Sequence, residues 1–195
     1  MRAPVVAETI QAASHRLFFA LVPDPATCRK IEILQRQLDP GCRVGGRAVK
    51  ASQYHVTLAF LGKQSFDQLP LLLALASGLD MPACSVALDC FGHFPRAGVV
   101  WLGATKLPAE LYAFQARLMA ALERAQIAFD RKPWTFHLTL YRDLRKPCLS
   151  MDSGTVSWNL EGFSLVESIS TGHGVEYRPL GHWKAGSSDN ARRNV

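Results

Sequence analysis

Residues 54–61 have the sequence YHVTLAFL, and residues 136–142 have the sequence FHLTLYR. Both segments contain a His-x-Thr-Leu tetrad, and the two histidines, His55 and His137, lie 82 positions apart. Apolar, β-branched and aromatic residues dominate each segment, which predicts two β-strands. From ordinary residue frequencies, chance gives two such tetrads in roughly one chain of this length in a thousand. The pair therefore predicts two similar halves.

Strand geometry assigns the tetrad side chains to two faces, because successive side chains point to opposite sides. In the first strand, His55 and Thr57 share one face, and Val56, Leu58 and Phe60 share the other. In the second strand, His137 and Thr139 share one face by the same rule. The other face carries Phe136, Leu138 and Leu140. Each strand is thus expected to bury one side and to present an imidazole and a hydroxyl on the other.

Two imidazoles facing one cleft could act together as a general acid and a general base, since the ordinary pKa of histidine lies near neutrality. A threonine hydroxyl two residues further on could donate a hydrogen bond to a phosphoryl oxygen. Two alternatives compete with this interpretation. The histidines could be structural, or they could be half of a zinc site, although neither tetrad contains a carboxylate or a third histidine.

The rest of the chain predicts an α+β fold with antiparallel sheets. Apolar and alternating runs predict strands at 16–22, 54–61, 84–91, 99–102, 134–141, 158–166 and 174–183. Helical spacing predicts helices at 26–38 and 66–79, and a third that has Pro108 in its first turn and carries Leu111, Phe114, Leu118 and Leu122 on one stripe. We expect a flexible leader at 1–14, a disordered tail at 184–195, and a single two-lobed domain over 15–183.

Composition excludes several classes of protein. With 48% hydrophobic and 19% charged residues among 195, the chain can bury a core, so wholesale disorder is excluded. No apolar run approaches the roughly 18 residues of a membrane span, so we expect no membrane partner. A net charge of +6 is compatible with an anionic partner. Five cysteines without a CxxC pair predict free thiols in the cytoplasm: Cys28, Cys42, Cys84, Cys90 and Cys148.

The tetrads resemble the paired His-x-Thr/Ser motifs of the 2H phosphoesterase superfamily, and the RNA 2′,3′-cyclic phosphodiesterase branch (LigT-like, 2′-5′ RNA ligase) is the most similar. The segments that carry this resemblance are RLFFALVPD (16–24), YHVTLAFLG (54–62), FGHFPRAGVVWLGA (91–104), FHLTLYR (136–142) and FSLVESISTGHGVEYRPLGHW (163–183). Together they cover most of residues 15–183.

The resemblance implies two pseudo-symmetric lobes, each an antiparallel sheet backed by helices, around a central cleft. It also implies hydrolysis of an RNA-terminal 2′,3′-cyclic phosphate to a 2′-phosphate, without a metal or a cofactor. In this scheme His55 protonates the leaving 3′-oxygen and His137 activates water, although the similarity of the two halves leaves the reverse assignment open. We expect a monomer.

Further residues are expected to bind the substrate. Thr57, Thr139 and Arg142 are candidates to stabilise charge on the phosphate oxygens. Alternation places Arg142 on the face opposite His137, so it could reach the cleft only if the strand bulges after Tyr141. Tyr141 shares the parity of His137 and could stack on a base. Substrate contacts could also come from the 42–53 loop and from basic residues that precede the motif strands, namely Arg43, Arg47, Lys50, Arg131 and Lys132.

Two other functions stay open at this point. The chain could be a non-catalytic RNA-binding domain that has kept the fold. It could also be a 2H enzyme that acts on 2′-5′-linked oligonucleotides or on another cyclic phosphate.

Overall fold

The computed structural model of the protein describes residues 14–38, 46–144, 154–172 and 174–186. The strands are β1 (Ser14–Leu21), β2 (Arg47–Ala48), β3 (Val56–Ser65), β4 (Cys84–Leu88), β5 (Cys90–Phe94), β6 (Val99–Gly103), β7 (His137–Arg142), β8 (Val156–Leu160), β9 (Gly162–Thr171) and β10 (Gly174–Lys184). The helices are α1 (Pro25–Gln37), α2 (Leu69–Ser77) and α3 (Ala109–Arg124), with 3₁₀ turns at Ala51–Gln53, Phe66–Gln68 and Pro95–Ala97. No helix in the described ranges is both long enough and apolar enough to cross a membrane.

Eight of these strands form one sheet in the order β10-β9-β1-β3-β7-β6-β5, with β2 paired to β7, and every paired neighbour is antiparallel. The strands β3 and β7 meet at one register pair, Val56 with Leu138. The sheet therefore consists of a first wing (β10, β9, β1 and β3) and a second wing (β2, β7, β6 and β5) that join at this pair. The predicted antiparallel α+β class is confirmed.

The helices begin and pack as their sequences dictate. Asp24 caps α1, because its Oδ1 accepts hydrogen bonds from the backbone N–H groups of Ala26 (2.8 Å) and Thr27 (3.0 Å). The predicted stripe of α3 is confirmed, and all four of its side chains are fully buried: Leu111, Phe114, Leu118 and Leu122. These helix residues share one core with alternate residues of the sheet, such as Phe19, so the helices lie on one face of the sheet.

Several predicted strand boundaries were wrong, and β7 begins at His137 rather than at Trp134. Residues 84–91 are two strands in different sheets, because Asp89 leaves the ladder and binds Thr105 through its carboxylate. Residues 158–166 also divide, since β8 pairs with β4 in a separate two-stranded sheet whereas β9 pairs with β1. The first motif strand does not end at Gly62, which has a φ of +68° beside a bulge, and pairing continues to Ser65.

The predicted leader and tail lie largely outside the described residues, which exclude 1–13 and 187–195. The described chain enters β1 at Ser14, and β10 includes Lys184. Among the described cysteines, the thiols of Cys28, Cys84 and Cys90 are free, whereas Cys42 and Cys148 fall outside those ranges.

Candidate active site

The two motif histidines lie where the wings join. His55 immediately precedes β3, and His137 is the first residue of β7. The residues that follow them, Val56 and Leu138, form the pair that connects the strands, and both are fully buried. Because side chains alternate along a strand, the two imidazoles lie on the sheet face opposite the helices.

The same backbone hydrogen bond holds each imidazole. His55 Nδ1 lies 2.7 Å from the carbonyl oxygen of Gln53, and His137 Nδ1 lies 2.8 Å from that of Thr135. A carbonyl oxygen only accepts, so Nδ1 of each ring carries the hydrogen and donates it. The other ring nitrogen, Nε2, is therefore the atom that can take up or release a proton in both residues.

The surroundings disfavour the charged form of both histidines. Burial lowers the pKa of His55 to about 4, the hydrogen bond that its Nδ1 donates to the carbonyl oxygen of Gln53 opposes this, and the charges of Arg142 and His137 lower the pKa further. Burial also lowers the pKa of His137, again with a contribution from Arg142. Arg142 thus lies close enough to influence both imidazoles, and the surroundings favour the neutral form of each.

Aromatic rings flank each histidine on either wing. His55 packs against Phe18, with ring centroids 4.9 Å apart, and meets Tyr177 edge-on at 5.0 Å. His137 meets Phe94 edge-on at 5.0 Å and Trp101 at 6.4 Å. These ring contacts cover part of each imidazole, and burial is the largest cause of both lowered pKa values.

Each motif strand contains a one-residue bulge at the last residue of its tetrad. Where β3 pairs with β1, Leu58 is the extra residue that has no partner in the register. Where β7 pairs with β6, Leu140 is the extra residue. The carbonyl oxygen of Leu58 accepts a hydrogen bond from Gln115 Nε2 of α3 at 3.3 Å. That of Leu140 accepts one from Gln35 Nε2 of α1 at 2.7 Å. The bulge and its supporting glutamine are therefore repeated in the two halves.

The bulges shift the alternation that follows each tetrad. Arg142 lies on the cleft face, and Phe60, which was predicted to face the core, lies there too. Tyr141 is 3% exposed, packs in the core, and donates its hydroxyl hydrogen to the carbonyl oxygen of Gln35 at 2.9 Å. The prediction that Tyr141 stacks on a base at the cleft edge is therefore wrong, because the bulge lies before this residue rather than after it.

Two adjoining cavities follow the cleft face. The first has a volume of about 400 Å³ and contains four of the predicted site residues: His55, Thr57, Thr139 and Arg142. The second has a volume of about 600 Å³ and contains His137. The two cavities share Thr57 and Phe60, so the histidines face a continuous space.

The basic residues proposed from sequence divide between the cleft and other surfaces. Arg47 lines the first cavity and Lys132 the second, and the 42–53 loop also contributes Val49 and Gln53 to the first. Lys50 and Arg131 are exposed and line neither cavity. Arg43 lies outside the described residues.

Several cleft residues were not predictable from the sequence. Arg16 and Phe18 come from β1, Tyr177 comes from β10, and Phe94 and Trp101 come from β5 and β6. All of them lie far from the tetrads in sequence, and only the pairing of strands brings them together. Within the described ranges, no three His, Cys, Asp or Glu side chains are grouped so that they could hold a metal ion.

Comparisons with known proteins point to one family. The model of the 2′-5′ RNA ligase superfamily matches residues 23–160. A relative in Escherichia coli, named RNA 2′,3′-cyclic phosphodiesterase, is 31% identical over 169 residues, which cover 86% of this chain and 95% of that protein. A Thermus thermophilus relative of the same name is 32% identical over 180 residues, which cover 85% of this chain and 87% of that protein.

The fold is similar to that of solved structures from the same family. Escherichia coli LigT complexed with 3′-AMP superposes with a TM-score of 0.81 at 29% identity, over 89% of this chain and 99% of that one. The structure of LigT complexed with phosphate gives a TM-score of 0.77 at 28% identity, over 88% and 98% of the two chains.

Proposed function

Because the chain belongs to the 2′-5′ RNA ligase superfamily, we propose that it hydrolyses RNA-terminal 2′,3′-cyclic phosphates to 2′-phosphates. One observation carries the proposal. Two histidines are held by equivalent Nδ1 hydrogen bonds, so that both Nε2 atoms are available to one cleft, and a threonine follows each histidine by two residues. The names of the relatives support the reaction.

The proposed reaction is an in-line displacement at phosphorus. His137 takes a proton from water, and the water oxygen forms a new bond to phosphorus while the bond to the 3′-oxygen breaks. His55 donates a proton to the departing 3′-oxygen, so the product carries a 3′-hydroxyl and a 2′-phosphate. Thr57 and Thr139 donate hydrogen bonds to the phosphate oxygens, and Arg142 neutralises the charge that develops there.

A turnover assay on an RNA oligonucleotide with a 2′,3′-cyclic phosphate end tests this function. The expected product is a 2′-phosphate, which resists an enzyme specific for 3′-phosphates. A 3′-phosphate product would contradict the proposed direction of ring opening. Binding of RNA without turnover would favour the non-catalytic alternative, and turnover of only 2′-5′-linked oligonucleotides or another cyclic phosphate would favour the other 2H activities.

Metal independence is a separate prediction. The proposed reaction uses two imidazoles, two hydroxyls and a guanidinium, and no step needs a Lewis acid. Exhaustive treatment with EDTA is therefore expected to leave the rate unchanged. Loss of activity that added zinc or manganese restores would show that the reaction needs a metal.

The lowered pKa values predict the pH dependence of kcat/KM. The reaction needs one proton on the pair of histidines, so activity falls when both are protonated and when both are neutral. The pKa of His55 lies at about 4 and that of His137 below its ordinary value. The profile of kcat/KM is therefore expected to be a bell with its maximum below about pH 6.5, and to fall about tenfold per pH unit on the alkaline side. A profile that stays flat up to pH 8 would contradict this assignment.

Two further expectations belong to this proposal. We infer that the protein acts on RNA ends as a monomer, because one chain supplies both histidines of the cleft. We also infer that it acts in the cytoplasm, because the three cysteines within the described ranges are free thiols. Light scattering of the purified protein should give the mass of one chain.

A further inference from the structure

The cavity around His55 carries more positive charge than one cyclic phosphate needs. Among the described residues, its lining includes Arg16, Arg47 and Arg142 but no aspartate or glutamate. A cyclic phosphodiester has a single negative charge. Arg47 is partly balanced from outside the cavity, since its Nε lies 3.4 Å from a carboxylate oxygen of Asp143. No carboxylate of the described residues forms an ion pair with Arg16, so its charge is available to a ligand.

Arg16 and Arg142 serve different parts of the cavity. The charge of Arg142 lowers the pKa of both His55 and His137, whereas Arg16 contributes to neither shift. In the β1–β3 ladder Arg16 pairs with Lys63, towards the end of β3 that lies away from His55. Its position on the first wing therefore suits a second phosphate, separate from the one held between the two imidazoles in the proposed reaction.

The surroundings of Arg16 suit a second phosphate. Its guanidinium lies over the ring of Phe60, 5.2 Å from the centroid, which holds the charged group at the cavity wall. Ser168 and Ser170 of β9, the strand next to β1, line the same cavity. Their hydroxyls can donate hydrogen bonds to phosphate oxygens beside the guanidinium.

We propose that Arg16 binds the internucleotide phosphate next to the cyclic end, so that the preferred substrate is an oligonucleotide rather than a cyclic mononucleotide. The inference rests on the proposed function and specifies its substrate. Arg16 is a specificity-determining residue in this scheme, because it contacts a part of the substrate where no bond changes.

Three substrates test the proposal. They are adenosine 2′,3′-cyclic phosphate, the dinucleotide ApA with a 2′,3′-cyclic phosphate end, and the same dinucleotide with an uncharged methylphosphonate linkage. In the wild type, kcat/KM is expected to be about tenfold or more higher for the charged dinucleotide than for the mononucleotide. The methylphosphonate substrate should lose that advantage.

The substitution Arg16→Gln should remove about tenfold from the ratio of kcat/KM between the charged and the neutral dinucleotide. It should also reduce the dependence of log(kcat/KM) on log[salt] by about 0.7 for the charged dinucleotide, as expected for one lost phosphate contact to a single strand. Arg29→Gln removes the same charge from the exposed side of α1 and should leave the ratio unchanged. This control separates a local contact from general attraction by net charge.

The possible results distinguish this inference from the proposed function. A wild-type enzyme that turns over both dinucleotides equally well, or an Arg16→Gln variant with an unchanged ratio, would overturn the role of Arg16 and leave the function intact. No turnover of any of the three substrates would overturn the function, and the inference with it. Thermal melts of the variants should match the wild type, because Arg16 is exposed.

Discussion

Replacing either His55 or His137 with alanine is expected to lower kcat on a cyclic phosphate by about 10²–10⁴, the usual cost of losing a general acid or base. Both residues present Nε2 to the cleft because their Nδ1 atoms are engaged by the backbone. A loss at both positions would show that the repeated tetrads form one catalytic unit. The measurement is kcat under saturating substrate, together with a thermal melt of each variant.

A matched control comes from His15 of β1, whose Nδ1 pairs with the carboxylate of Glu167. His15→Ala removes an imidazole that lines none of the cavities containing His55 or His137, so kcat should stay within a few-fold of the wild type. Near wild-type turnover by His55→Ala or His137→Ala would instead contradict the proposal that both histidines take part in the reaction.

The same variants assign the acid and the base. A cyclic substrate with sulfur at the 3′ bridging position has a leaving group that departs as a thiolate and needs no proton. In the proposed scheme this substrate restores turnover to His55→Ala and not to His137→Ala. The opposite result would exchange the two roles and keep the mechanism.

The shared position of His55 and His137 was predictable from sequence because it depends on local geometry. Alternation along a strand places His55 with Thr57, and His137 with Thr139, whatever the rest of the chain does. The stripe of α3 was predictable for the same reason, because the 3.6-residue period fixes which of its side chains share a face.

Residues beyond the tetrads were less predictable because their faces depend on strand register. A bulge at Leu58 or Leu140 inserts one residue, and the side chains that follow it change face, in β3 as far as a second bulge at Leu61. Local sequence does not mark these positions, since the glutamines that support them come from α3 and α1. This is why Tyr141 and Arg142 were each assigned to the wrong face when the strand was taken as regular.

Replacing Arg142 with glutamine is expected to lower kcat by about 10²–10³, the usual loss when one group that stabilises developing charge is removed. The bulge at Leu140 brings this guanidinium into the cavity with His55. Its positive charge lowers the pKa of both histidines. Arg142→Gln should therefore also raise both pKa values and move the alkaline limb of kcat/KM to higher pH.

The variant Arg142→Lys separates the two effects. An ammonium keeps the charge but not the planar pair of donors that fits a phosphate. The pH profile should then stay near that of the wild type while kcat remains reduced. A role of Arg142 confined to folding predicts lower thermal stability for Arg142→Gln with an unshifted pH profile, and that result would exclude electrostatic coupling to the histidines.

The exposed Arg131, which pairs with Glu123 at 2.8 Å and lines neither cavity, provides the control. Arg131→Gln should change neither kcat nor the pH profile, because its charge contributes to neither histidine's pKa shift.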